Sequence, residues 1–352
     1  MFTRLIILGL VVIPFISIQN QDIRELKSVL AFAVMLALGL LAVYQGKLKK
    51  FENKYVLLLI FFVWLSTMMA PSSGMRLDGM NLGVFWAWKP FTYLLAYFLG
   101  VWAIASHDFT KEDIHKILNV ASWCGFIMAL FVFLQFLRLD QFFKAMPGTY
   151  HEQWNLSGTI GHPTFVSAYM AMIVPLAIYL KKYWFAGVIF IAVLITQSQV
   201  AIGAMILSLI FLLSRKNKSW AIFAFIGFIA LIIAVHNLYP NYISDSNRFF
   251  EWKRIVQDIG KPIGPVDTVK HQYAITGLGL GSFYYTYHII HGVEVKNGFF
   301  QAHNEYLEFL WCCGIVGLVL FLLAIFWMIR ANWKKNFYRD CLLASFFCIA
   351  LN

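Results

Sequence analysis

The sequence predicts an all-α, polytopic membrane protein of about 10–12 transmembrane helices with one large loop on its outer face, and three observations lead there. Of its 352 residues, 61% are hydrophobic and only 13% charged, and the mean hydropathy is +0.71. Soluble domains sit well below that apolar fraction. Many apolar runs reach the roughly 17–25 residues that a helix needs to cross the hydrocarbon, with none of the ten-residue alternation of a barrel. Lysine and arginine gather in a few short connectors, as they do on the cytoplasmic side of inner-membrane proteins.

Apolar segments fall near residues 5–19, 28–45, 55–70, 83–105, 117–137, 164–180, 184–197, 199–213, 220–238 and 304–328. The first lacks a small-residue cleavage site before a polar mature region, so it reads as a span and not as a removable signal. An eleventh segment begins at Cys341 and stops at Asn352, too short to cross, so the chain reads as a truncated version of a longer protein. Lys47, Lys49, Lys50 and Lys54 share one connector; Lys181 and Lys182 a second; Arg215, Lys216 and Lys218 a third; Arg330, Lys334, Lys335 and Arg339 a fourth. All four fall on one side, the cytoplasmic one, if 184–197 and 199–213 are two short spans reversing at Gln197-Ser198-Gln199. A single long helix over 184–213 would set two of these clusters on opposite faces, against the charge rule.

The same topology sends residues 138–163, the Gln197–Gln199 reversal and the connector 239–302 to the outer face. The expected organisation is therefore N-terminal helices over 1–137, central helices with outer polar loops over 138–238, a large outer loop over 239–303 and C-terminal helices over 304–352. Loops of about 60 residues are uncommon and usually carry function. This one is basic, with Arg248, Lys253, Arg254, Lys261, Lys270 and Lys296. Long loops translocate regardless of charge, so the orientation stands, and the cations call for an anionic partner.

Within that loop, "SDSNRFFEWKRIVQDIG" spaces Phe249, Trp252, Val256 and Ile259 as one helical face, with Asp245, Ser246 and Asn247 as N-cap candidates. It reads as a short helix lying on the membrane surface, either an interfacial anchor or, with Arg248 in its first turn, an anion site. "TGLGLGSF" (276–283) lacks the strand–turn–helix setting of a nucleotide loop, so its glycines read as a tight turn or a close backbone approach. "LSGTIGHPTFVSAYMAMIVPL" (156–176) places His162 beside Pro163, which opens a helix, so His162 is either an interfacial side chain or a ligand contact. His303, Asn304 and Glu305 stand at the mouth of the 304–328 span, where ionisable groups are functional candidates. The five cysteines lie in or beside apolar runs without metal-ligand spacing and read as small hydrophobes.

In that order, "LSGTIGHPTFVSAYMAMIVPL", "TQSQVAIGAMIL", "SNRFFEWKRI" followed by "TGLGLGSF", and "AHNEYLEFLWCCGIVGLVLFL" resemble the landmarks of the O-antigen ligase and O-antigen polymerase superfamily. The resemblance covers about residues 150–330, and the first five spans match in general character only. It implies a metal-independent C-type glycosyltransferase of the bacterial cytoplasmic membrane, needing no cofactor. Such an enzyme moves a glycan from an undecaprenyl-diphosphate-linked donor to an acceptor at the periplasmic face, lipid A-core for a ligase or another glycan for a polymerase. A protein O-glycosyltransferase is a further reading of the same resemblance. The lipid bilayer is a partner, and no nucleic acid is expected.

By that resemblance His303 acts on the acceptor and Arg248 holds the donor diphosphate. His162, Asn304 and Glu305 join them as substrate-binding candidates. Where the family usually shows Ser-Arg this chain has Ser198-Gln199, so a second arginine is missing and Gln199 stands in its place. Lys89, Arg254 or Lys253 are the alternatives for that charge, whereas Arg215 belongs to the cytoplasmic side. The short C-terminus also departs from relatives, which have about one more span. Outside the enzyme class, a transporter of lipid-linked glycans is the rival, and it would carry charge inside its spans.

Overall fold

The computed structural model describes residues 1–15, 23–50, 53–69, 76–77, 80–81, 85–139, 156, 158–160, 163–238, 252–257, 259, 272–280, 282–283, 304–331, 333 and 337–350. They are helical, apart from connecting turns and a pair of two-residue antiparallel strands, β1 (Arg76–Leu77) and β2 (Met80–Asn81), registered Arg76 to Asn81 and Leu77 to Met80. The helices are α1 (Phe2–Phe15), α2 (Ile23–Tyr44), α3 (Lys54–Met69), α4 (Phe85–Ser106), α5 (Lys111–Phe136), α6 (Pro163–Tyr179), α7 (Tyr183–Ile195), α8 (Gln199–Lys216), α9 (Lys218–Leu238), α10 (Gln272–Thr276), α11 (Glu305–Ala331) and α12 (Phe337–Ala350). A helical stretch at 252–257 precedes α10. Among the described residues, four spans suffice by length and composition to cross a bilayer: Leu26–Tyr44, Lys111–Phe136, Gln199–Lys216 and Tyr306–Ala331. Shorter apolar helices accompany them, and the chain is a multi-pass membrane protein.

The contacts divide the chain into two units. The first takes Met1–Leu48, Leu99–Ile233 and Asn332–Asn352; the second takes Lys49–Phe98 and Ala234–Ala331. In the first unit α6 packs against α5, α7, α8 and α12, while α1 packs on α2 and α5. Met128, Val132, Val166, Met170, Ile189, Val193 and Met205 have no measurable exposure there, and Ala129, Ala171, Ala177, Ala192 and Ala201 share that interior. Small residues let helix backbones approach closely, which matters in lipid because burying an apolar side chain against another helix gains no hydrophobic free energy over lipid tails. The α5 start is set by a capping box: Thr110 Oγ1 accepts from the Asp113 amide at 3.1 Å, and the Asp113 carboxylate accepts from the Thr110 amide. Thr3 Oγ1 donates to the same carboxylate at 3.0 Å, which ties α1 to that end.

Residues 184–213 form two helices, α7 and α8, as the charge rule requires. Gln197, at φ 56°, turns the chain between them. At the far end of α8, Arg215 Nε donates to Asp340 Oδ1 at 2.8 Å, its Nη2 donates to the Trp333 carbonyl at 2.9 Å, and its guanidinium lies 5.1 Å from the Trp333 ring centre. All five cysteines are buried free thiols. Cys348 donates to Ser208 Oγ at 3.2 Å and so joins α12 to α8.

The second unit is assembled around a break. Between Glu305 and Ala331, α11 passes through one residue, Gly314, whose φ of 64° and ψ of −173° interrupt the helical geometry. An interruption frees carbonyls that a bilayer core cannot hydrate, so other groups must pair with them. Leu278 N–H donates to the Trp311 carbonyl at 3.2 Å, Gly279 N–H to the Cys312 carbonyl at 2.8 Å, and Ser66 Oγ of α3 also to the Cys312 carbonyl, at 3.1 Å. Main chain lies against main chain here: a Cβ on Gly277 would stand 2.2 Å from the Cys312 carbonyl oxygen, and one on Gly314 would stand 2.3 Å from that of Ile275. Both glycines have positive φ, so both demands fall on the one residue type that meets them. The glycine-rich stretch is thus a close backbone approach.

Candidate functional site

Three of the sequence-predicted residues, His162, Arg248 and His303, lie outside the described residues. The others have definite places. Asn304 caps α11: its Oδ1 accepts from the Tyr306 and Leu307 amides at 3.0 and 3.1 Å, and its own carbonyl accepts from the Glu308 amide at 2.9 Å. An Asn at this position satisfies two N–H groups that the helix cannot pair internally. Its side-chain oxygen is committed to the helix, leaving the NH2 as the end that can donate to a substrate. Glu305 is the first residue of α11.

Arg254 is half-buried in the 252–257 helix and Lys253 is exposed beside it. That helix differs from its sequence reading. Its buried face is Trp252, Ile255 and Ile259, with Ile255 1% exposed, whereas Val256 is 54% exposed. The spacing 252, 255, 259 is as helical as 252, 256, 259, and only the neighbours select between them. The neighbours are protein. Ile255 belongs to a cluster with Leu59, Val63, Phe91, Leu278, Phe283, Trp311, Cys312 and Cys313, against which Trp252, Ile259, Leu280, Leu307 and Phe309 pack. Within it the Phe283 and Trp311 rings meet edge to face at 5.6 Å.

The second unit therefore joins three of the sequence stretches singled out above: the end of "SNRFFEWKRI", "TGLGLGSF", and the start of "AHNEYLEFLW". Arg254 and Asn304 stand on the first and third of these. Lys89 is also in this unit, in the opening turns of α4. Gln199 is in the first unit, as the opening residue of α8 after Ser198. Arg215 is in the last turn of that 18-residue helix, so about 25 Å of rise separates the two. Its guanidinium is paired with Asp340.

Sequence reasoning misses a second polar group. Gly158 donates from its amide to Gln135 Oε1 at 2.8 Å, and Gln135 Nε2 donates back to the Gly158 carbonyl at 3.4 Å. Thr159 Oγ1 donates to the Pro14 carbonyl at 2.6 Å. Lys27 Nζ donates to the same Pro14 carbonyl at 2.9 Å and to the Thr159 carbonyl. Lys27 is 8% exposed, although it sits at the start of a span, where a lysine is expected to reach water. One signal was available: Ile23, Arg24, Leu30 and Ala31, the i±3 and i±4 neighbours of Lys27, include no carboxylate.

No family model, no curated protein and no solved structure matches this chain.

Proposed function

We propose that the protein is a membrane glycosyltransferase of the O-antigen ligase type, moving a glycan from undecaprenyl diphosphate to an acceptor sugar hydroxyl at the periplasmic face of the bacterial inner membrane. One observation carries the reading: the segment following Arg248 and the segment following His303 pack into a single hydrophobic cluster with the glycine-rich stretch between them in sequence. Arg248 and His303, residue types suited to the two halves of the reaction, precede those two segments by a few positions in the sequence.

The donor must bring its own activation, because nucleotides are not supplied outside the cytoplasm. A lipid diphosphate sugar does so. The acceptor oxygen forms a bond to the anomeric carbon, the bond from that carbon to the diphosphate oxygen breaks, and undecaprenyl diphosphate leaves with the electron pair. Arg248 is assigned to the diphosphate, since guanidinium groups hold phosphate oxygens through paired, charge-assisted hydrogen bonds. A well-placed donor of this kind is worth about 3–4 kcal/mol in a water-poor site. His303 takes the acceptor proton, which an imidazole does near neutral pH. Arg254 stands nearest in sequence to Arg248 among the alternatives for a second cation apart from Lys253, and Asn304 offers its NH2 to the acceptor.

The test uses purified protein in detergent with a labelled lipid-linked donor and a lipid A-core acceptor. Transfer is expected from the wild type, and His303→Ala and Arg248→Ala are expected to insert normally while transfer falls at least about a hundredfold. Full transfer by either variant removes its assigned role. A lipopolysaccharide gel from a deletion strain separates the acceptors: loss of all capped species marks a ligase, a single-repeat band a polymerase, and an unchanged pattern a protein O-glycosyltransferase. The break in α11 favours one reading outside the enzyme class, because interrupted helices line the sites of many transporters. Movement of the lipid-linked glycan across a vesicle without any transfer in detergent would select that transporter.

A further inference from the structure

We propose that the connector between α6 and α7, with the aromatic rings that α5 and α7 set beside it, binds an anionic phospholipid, Lys181 and Lys182 taking its phosphate and the rings its upper acyl chains. The turn itself is fixed. Lys181 N–H donates to the Ile178 carbonyl at 3.0 Å and Lys182 N–H to the Ala177 carbonyl at 2.9 Å, the paired bonds that close a helix when the residue after it is left-handed. That residue is Lys181, at φ 58°, where glycine is the usual choice because a Cβ is penalised there. An exposed lysine is thus kept where the backbone favours glycine. Lys182 turns back onto the unit. Its Nζ donates to Asn119 Oδ1 of α5 and lies 5.1 Å from the Trp123 ring centre and 4.7 Å from that of Phe185. Neutral partners fix the ammonium without cancelling its charge. No carboxylate among the described residues pairs with either lysine. The acidic residues of α5, Glu112 and Asp113, come six or more positions before Asn119, about 9 Å of helix rise.

The rings beside the two charges indicate what carries the anion. Buried Phe185 stacks on Phe126 at 4.5 Å, Trp123 meets Phe185 edge-on at 4.7 Å, and Trp184 meets Phe126 edge-on at 4.8 Å. The rings are interlocked, yet the indoles of Trp123 and Trp184 stay 45% and 61% exposed, and Tyr183 beside them 65%. Exposed rings of this kind settle at the level of the lipid headgroups, with their apolar bodies toward the chains. A soluble anion would leave that apolar surface uncovered. A phospholipid brings phosphate and hydrocarbon on one molecule, so it answers both the paired lysines and the rings. The charge rule puts this connector on the cytoplasmic side, whose leaflet carries the anionic lipids. The assignment does not depend on the glycosyl-transfer reading.

The experiment measures thermal unfolding of the full-length protein in detergent while dioleoyl phosphatidylglycerol, dioleoyl phosphatidylcholine or glycerol 1-phosphate is titrated. Phosphatidylglycerol is expected to raise the unfolding temperature of the wild type, and the other two are not. Lys181 is exposed, so Lys181→Gln leaves the packing untouched and is expected to weaken the apparent affinity for phosphatidylglycerol about fivefold, the worth of one lysine at an anionic surface. Lys181→Gln combined with Lys182→Gln is expected to weaken it more than tenfold, whereas Lys181→Arg keeps it. Lys216→Gln combined with Lys218→Gln removes two exposed lysines from the α8–α9 connector and leaves the response at its wild-type size. The proposal is overturned if phosphatidylglycerol does not stabilise the wild type, if phosphatidylcholine stabilises it as strongly, or if glycerol 1-phosphate alone reproduces the effect. It is also overturned if Lys181→Gln responds as the wild type does, or if the Lys216 and Lys218 pair of substitutions costs as much as the Lys181 and Lys182 pair.

Discussion

The two units enclose their interiors in different ways. In the first, regular helices meet through side chains, and alanines on α5, α6, α7 and α8 set the spacing. In the second, a helix is broken, and the Trp311 and Cys312 carbonyls before the break accept from the backbone of another segment and from the Ser66 hydroxyl. Both come from stretches of similar apolar composition. The contrast teaches that in a bilayer the costly item is the unpaired backbone group, and that a glycine pair is enough to let irregular main chain into the interior once every freed carbonyl has a donor.

The largest expected effect tests the broken helix. Gly277→Ala forces a Cβ onto the Cys312 carbonyl at positive φ, and should cost roughly 3–5 kcal/mol, read as loss of folded protein after detergent extraction. Recovery of Gly277→Ala with wild-type thermal stability would mean that the backbones do not meet as described. In the first unit, Ile189→Ala should cost less, about 2 kcal/mol, because the cavity term remains while much of the hydrophobic term vanishes against lipid tails. Chemical-denaturant midpoints for the pair rank the two interiors directly. Ser66→Ala removes one donor from the Cys312 carbonyl and should lower stability by about 1 kcal/mol, measured in the same denaturant series.

The smallest effect concerns pH and belongs to the first unit. His107 stacks on Phe2 with ring centres 4.5 Å apart and meets Phe109 edge-on at 4.6 Å. Desolvation, and then the charge of Lys47, hold its pKa below the ordinary histidine value against the opposing pull of Asp113 and Asp108. The folded state thus prefers the neutral ring. This contribution is fully present above an unfolded pKa of about 6.5 and is lost as pH falls through the lower folded value. The unfolding temperature should decline slightly from about pH 7.5 to about pH 5, and His107→Gln should flatten that slope; an unchanged slope would assign it to other groups.

Particular residues show what is legible beforehand. The reversal at Gln197 follows from charge alone, because a single helix would put Lys181 and Arg215 on opposite faces. The close approach of the glycine stretch is one of its two sequence readings, since a cluster without nucleotide-loop context leaves little else. The break at Gly314 is not legible: it lies inside an apolar run, and glycine is common in transmembrane helices. Ile255 and Val256 are adjacent apolar residues that both fit a helical period, so the choice of face waits on what lies beside it. Lys27 looks like a flanking lysine until its two carbonyl partners bring α1 and the turn before α6 around it. Of the candidate site, sequence names Asn304 and Arg254 but cannot foresee that their segments share one cluster.

Sequence by itself determined the class and the rhythm of the chain: apolar length, charge placement and turn chemistry act over a few neighbouring residues, so they can be summed along the chain. Tertiary structure decided which carbonyl meets which amide, which face of a short helix is buried and which cation loses its water. Those outcomes depend on contacts between residues far apart in sequence, and no local pattern contains them.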